Sequence, residues 1–204
     1  ENALECLQDG QTRIIEIDLD DEVLGVGMPC GGKMEVYVEP FLPQPELMLV
    51  GQGRIAELVA ELGRLLHFRV TVNSPGATRE DFPFADQLIT DDTDYQKINP
   101  GLNSYVIVLT QHKGDQQVIQ AALRGTPRYI GLVASAKRSR LVVEYLKEGG
   151  MDADALRQVL RAPCGLDLGG RTPEEIALSI ITEVVKLRHE RTGLSMMEVK
   201  QCSI

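Results

Sequence analysis

Tryptophan is absent from this sequence of 204 residues, aromatics of all kinds make up only 4%, and cysteines number four, Cys6, Cys30, Cys164 and Cys202. Four scattered cysteines exclude a disulfide scaffold and do not fall at zinc-knuckle spacing; a reducing cytoplasm suits them. Basic residues are also short, 21 Lys+Arg against 30 Asp+Glu, for a net charge of −9. That balance argues against bulk nucleic-acid binding and against an anionic membrane surface. No apolar run approaches the roughly 18–20 residues that span a bilayer, and no signal-peptide pattern is present. The sequence opens Glu1-Asn2-Ala3 without methionine, which leaves a fragment, a processed chain or one missing its first residues all open.

What is present, 43% hydrophobic and 25% charged residues, is enough to bury a full-sized core. Residues 1–45 read as a small β-rich unit, with strand patterns at Thr12–Ile17 and Met34–Val38 around a glycine-rich stretch, Gly25 to Gly32. The unit ends in a stiff linker of Pro40, Pro43 and Pro45. Residues 46–191 alternate strands and helices. Leu47–Val50, Arg69–Val72, Gln87–Thr90, Tyr105–Leu109 and Tyr129–Val133 read as strands. Helical spacing runs through Ile55–Leu66, Asp115–Arg124 and Lys137–Lys147. A last helix starts at a Thr172/Glu175 capping box with Pro173 in its first turn. The expected fold class is α/β: a Rossmann-like, mostly parallel sheet with helices on both faces. Residues 192–204 form a loosely attached tail.

Gly51-Gln52-Gly53-Arg54-Ile55-Ala56 is a G-x-G-x-x-A that follows a buried strand and opens a helix. Gly51 permits the tight turn, Gly53 lets a phosphate approach the backbone, and Ala56 allows close helix–strand packing. An NAD site would place Asp or Glu at the end of the next strand, where Val72-Asn73-Ser74-Pro75 stands instead. NAD(P) is therefore a weak expectation, and a Rossmann scaffold without a classical cofactor is the alternative.

Four more segments compete for a role. In Met28-Pro29-Cys30-Gly31-Gly32-Lys33, backbone N–H groups and Lys33 could stabilise a thiolate at Cys30 as nucleophile, persulfide carrier or soft-metal ligand. It reads equally as a glycine turn with an incidental cysteine. Ser135, Lys137 and Arg138 follow the fifth strand, where a phosphate would suit them, or form a solvated basic face. His112, after the fourth strand, is a lone histidine and a weak catalytic candidate. The loop Ala162–Gly170, with Cys164 and Asp167, is either a binding loop or a connection.

Taken in order, Cys30-Gly31-Gly32 with Glu35-Val36 and Glu39-Pro40, the G-x-G-x-x-A, Tyr129-Ile130-Gly131 with Ser135, and Gly165-Leu166-Asp167 before Thr172–Ala177 resemble the XdhC/CoxF family. These are maturation factors of xanthine dehydrogenase and carbon monoxide dehydrogenase. Thr110–Asp115 resembles the carbon monoxide dehydrogenase side more closely. The resemblance covers roughly residues 25 to 188. It implies an accessory factor, a cofactor chaperone rather than a turnover enzyme, that binds molybdenum cofactor (molybdopterin type) and assists its sulfuration and insertion. Cys30 would then be the family's cysteine, at the molybdenum end; Gly51, Gly53, Arg54, Ser135, Lys137, Arg138, Cys164 and Asp167 would hold the cofactor. An apo molybdenum hydroxylase is the implied partner, with a cysteine desulfurase as a second and a homodimer as a compatible assembly. The rival readings are an NAD(P)-dependent oxidoreductase with His112 near the hydride, and a non-catalytic nucleotide-sensing module.

Overall fold

The computed structural model describes residues 2–9, 11–19, 32–41, 44–111 and 114–200. The chain divides into two compact units, Glu1–Pro43 and Gln44–Ile204. In the first, β1 (Arg13–Asp18) and β2 (Lys33–Val38) pair antiparallel, with Ile15 opposite Val36 and Ile17 opposite Met34. A helix, α1 (Asn2–Asp9), precedes them, so this unit is not built from strands alone. Its Cys6 is fully buried and accepts a hydrogen bond from Arg13 Nη1 at 3.5 Å. No periodic run long enough to announce a helix lies between Asn2 and Asp9, so its pattern does not distinguish it from a loop.

The second unit is a six-stranded sheet, parallel throughout. Its strands are β3 (Glu46–Gly51), β4 (Arg69–Asn73), β5 (Gln87–Ile89), β6 (Ser104–Leu109), β7 (Tyr129–Leu132) and β8 (Leu160–Arg161). They lie in the order β5-β4-β3-β6-β7-β8, the 3-2-1-4-5-6 arrangement of a Rossmann fold. The apolar runs are continuous because each strand is covered on both faces. Side chains alternate between the two. Leu47, Leu49, Val70, Val72 and Ile107 pack with Ala56 and Val59 of α2 (Arg54–Leu65) and Ala177, Ile180 and Val184 of α6 (Pro173–Arg188). Met48, Val50, Val106, Val108 and Ile130 pack on the other side. There they meet Val118 and Ile119 of α3 (Asp115–Ala122) and Val142 and Leu146 of α4 (Ala136–Glu148).

The α6 capping box forms as its sequence requires: Thr172 Oγ1 accepts from Glu175 N at 3.2 Å, and Glu175 accepts from Thr172 N at 3.1 Å. Beyond it, α7 (Met196–Val199) is capped in the same way by Ser195 and Glu198 and buries none of its own residues. No helix among the described residues is long and apolar enough to cross a membrane.

Candidate functional site at the carboxyl edge of the sheet

In this strand order the chain leaves β3 toward one face and β6 toward the other. A crevice therefore opens between their carboxyl ends. Gly51 closes β3 with φ +128°, and a Cβ there would stand 2.1 Å from the carbonyl oxygen of Leu109 on β6. Its requirement thus comes from the sheet itself as well as from the turn. Gly53, at φ +100°, is the N-cap of α2 and supplies no side-chain cap. The first-turn N–H groups of α2 have no intrahelical partner and point out of the helix end. A Cβ on Gly53 would meet one non-neighbouring atom, Gln111 Nε2 at 3.3 Å. Gln111, two residues beyond β6, is exposed and left-handed (φ 52°), and its carboxamide reaches the Gly53 turn. Arg54 opens α2 but is engaged by carboxylates, Glu57 at 3.2 Å and Glu174 of α6 at 3.6 Å.

At the end of β6, Thr110 Oγ1 donates to Asp115 Oδ1. Asp115 is only 2% exposed and takes Arg138 Nε on its other oxygen at 3.0 Å. Arg138 is thus tied to a buried carboxylate, while Lys137 beside it is exposed. Ser135 caps α4, its Oγ accepting from Arg138 N at 3.2 Å. Tyr95 packs against Gly114, whose Cβ would lie 2.6 Å from the phenol oxygen. Burial, with the charges of Asp115 and Asp92 behind it, raises the Tyr95 phenol above its ordinary range.

The end of β4 holds a second buried carboxylate. Asn73 Nδ2 donates to Asp92 Oδ2 at 2.5 Å. Asp92, 2% exposed, also accepts from Gln96 N at 2.8 Å and Lys97 N at 3.1 Å. Asn73 Oδ1 is buried without a partner. The acid missing from the end of the second Rossmann strand is therefore present one layer back, delivered by a loop 19 residues further along.

Cys164 lies at the carboxyl end of β7, on the face of the sheet covered by α2 and α6. Its N–H donates to Leu132 O at 3.0 Å. Tyr129 Oη donates to Glu183 Oε2 at 2.5 Å, and Gly165 N donates to the same oxygen at 2.8 Å. Burial first, then the Glu183 charge, pushes the Cys164 thiol up to about 12, so it is protonated at neutral pH. The loop that follows is stapled to α6 by Ser179 Oγ on Leu166 O at 2.5 Å, and leaves Asp167 exposed. Cys30 and His112 lie outside the described residues. Among the described residues no His, Cys, Asp and Glu side chains cluster as a metal site.

The structure thus brings Gly51, Gly53, Arg54, Ser135, Lys137 and Arg138 to one edge of the sheet. Asp92, Tyr95, Gln111 and Glu183 do not stand out in the sequence. For Gln111 the available signal is its place directly after the fourth strand; for Asp92 there is none, because three aspartates crowd residues 91–94 and spacing does not say which is buried.

The family model for the XdhC Rossmann domain matches residues 47–184. An uncharacterized protein of Escherichia coli (strain K12), YqeB, is 26% identical over 97% of this chain and 38% of its own length. A probable xanthine dehydrogenase subunit from Bacillus subtilis (strain 168) is 29% identical over 75% of this chain and 46% of its own length. The chain therefore spans less than half of either curated relative. A crystal structure titled as a xanthine dehydrogenase from Bacillus halodurans superposes with a TM-score of 0.63, covering 97% of this chain and 82% of that one. At 18% identity this is a likeness of fold.

Proposed function

Since this chain belongs to the XdhC family, whose Rossmann domain spans residues 47–184, we propose that it is an accessory factor of a xanthine dehydrogenase or related molybdenum hydroxylase. It holds molybdenum cofactor as cargo during sulfuration and passes it to the apo-enzyme. The xanthine dehydrogenase name carried by one relative supports the choice of client. A cysteine desulfurase is the natural sulfur donor, and a homodimer is compatible with the role.

The observation that carries this reading is the cradle at Gly53. A phosphate needs donors and a backbone that it can reach; the uncapped first turn of α2 supplies the donors, and the absent Cβ supplies the approach. The cargo's phosphate-bearing tail would rest there, with Lys137 adding charge from the start of α4. Arg138 and Arg54 contribute less, because Asp115, Glu57 and Glu174 already engage them. Cys164 as a protonated thiol is a poor ligand for a metal. In this reading the sulfur-handling cysteine is Cys30, the one the family resemblance implies.

The test is client activation in a reconstitution assay, read alongside copurifying molybdopterin. Gly53→Val should abolish copurification, because a branched side chain fills the cradle and is strained at positive φ. Cys30→Ser should keep copurification and folding but lose activation, since a serine hydroxyl stays protonated near neutral pH. Full activation by a folded Cys30→Ser variant sinks the sulfur-handling step; normal pterin retention by Gly53→Val sinks the cradle.

A further inference from the structure

The unit Glu1–Pro43 has very little inside it. Cys6 is the one apolar side chain fully buried among its described residues, while Leu4, Leu7, Ile14, Met34, Tyr37 and Phe41 are exposed. A ribbon of two strands is marginal in water unless a face is covered. Ile15, Ile17 and Val36 share one face and are half-buried. The other face is open. On it Ile14 stands directly opposite Tyr37, with exposures of 68% and 63%. One step along the same face, Glu16 stands directly opposite Glu35. Like charges in that position destabilise a ribbon. Lys33 reaches Glu16 at 2.5 Å but also stands opposite Asp18, so three carboxylates share one ammonium. A like-charge pair beside a bare apolar pair is a poor choice for a ribbon that serves only its own fold.

We propose that this face is a docking surface for a cationic, amphipathic segment of another protein. Its apolar side chains rest on Ile14 and Tyr37, and its Lys or Arg side chains meet Glu16 and Glu35. Alternate residues of a strand are about 7 Å apart on one face. An extended segment with apolar and basic residues two apart therefore matches both pairs at once. The sign of the face excludes other broad classes of occupant, since phosphate backbones and anionic lipid surfaces are repelled. Charge complementarity selects the partner and speeds encounter, and burial of the apolar pair holds it. This surface is independent of the Gly51–Gly53 turn, and either stands without the other.

Nuclear magnetic resonance titration of the full chain with a peptide repeating Leu-Thr-Lys-Thr locates the contact directly. Amide shifts should concentrate in residues 13–18 and 33–38. Shifts spread over the acidic surface of the chain, or none at millimolar peptide, overturn the proposal. A Leu-Thr-Glu-Thr peptide should leave the same signals in place, and equal shifts with it overturn the charge match. Glu35→Lys should raise the melting temperature by removing the like-charge pair, yet weaken the lysine peptide about tenfold. Tyr37→Ser should weaken it by a similar factor while the signals of residues 44–200 keep their positions. Unchanged affinity in either variant overturns the proposal.

Discussion

Two aspartates at the carboxyl edge of the sheet are buried alike, Asp115 and Asp92 each 2% exposed, yet they are compensated by different means. Asp115 receives a guanidinium and a hydroxyl, so both its oxygens are taken and its charge is neutralised within the protein. Asp92 receives a side-chain amide and two backbone N–H groups, all dipoles. The first arrangement is closed: it ties the end of β6 to the starts of α3 and α4. The second fixes the segment 92–97 on the end of β4 through Asn73, whose own oxygen is buried without a partner. One carboxylate ties strand to helices, and the other ties a loop to the end of a strand.

The most damaging way to break this contrast is to remove the cation. Arg138→Met should lower unfolding free energy by about 3 kcal/mol, because breaking a buried pair by deleting one partner leaves an uncompensated charge. Urea titration would show it, and a loss below about 0.5 kcal/mol would mean that the pair is effectively a surface bridge.

A smaller and pH-dependent loss should follow Asn73→Asp, which sets two carboxyl groups at the distance now spanned by a hydrogen bond. They cannot both ionise, so the folded-state pKa of the pair rises above its unfolded value. A raised carboxyl destabilises the fold above the unfolded pKa of about 4. We expect a loss of about 2 kcal/mol at pH 7, by analogy with burying a charge beside a like one, and recovery as pH falls toward 5. Melts at pH 5 and pH 7 check the sign, and equal stabilities at both would show that the carboxyls separate.

Least affected should be Lys137→Ala, which touches neither aspartate. Stability should change by less than about 0.5 kcal/mol, while retention of a phosphate-bearing ligand weakens severalfold at low salt and hardly at all at high salt. Unaltered retention in low salt would reduce Lys137 to a solvated side chain.

Much of the fold was legible because its strands are buried on both faces. Leu47–Val50 and Tyr105–Leu109 are continuous apolar runs that only such a sheet explains, and Thr172 with Glu175 marks the start of α6 chemically. The short pieces were not legible. Strand β8 is only Leu160–Arg161, too short for any period, and α5 (Ala153–Val159) precedes it behind an Asp152 cap. At the site, the turn around Gly53 was readable because glycine spacing encodes local backbone conformation. The partners of Asn73, Arg138 and Gly165 were not, because tertiary pairing across 18 to 23 residues leaves no periodic trace.

Gly51 carries one more consequence. Its missing side chain is what lets β3 lie against β6 at Leu109, so the mouth of the crevice is also the central seam of the sheet. Any enlargement at this position would pry the domain apart before it reshaped the opening. The width of that opening is therefore inherited from the spacing between neighbouring strands, and selection has no freedom to adjust it. Diversity in what such a domain accepts must arise at the margins instead, through exposed side chains such as Gln111 and Lys137 that can change without moving the strands.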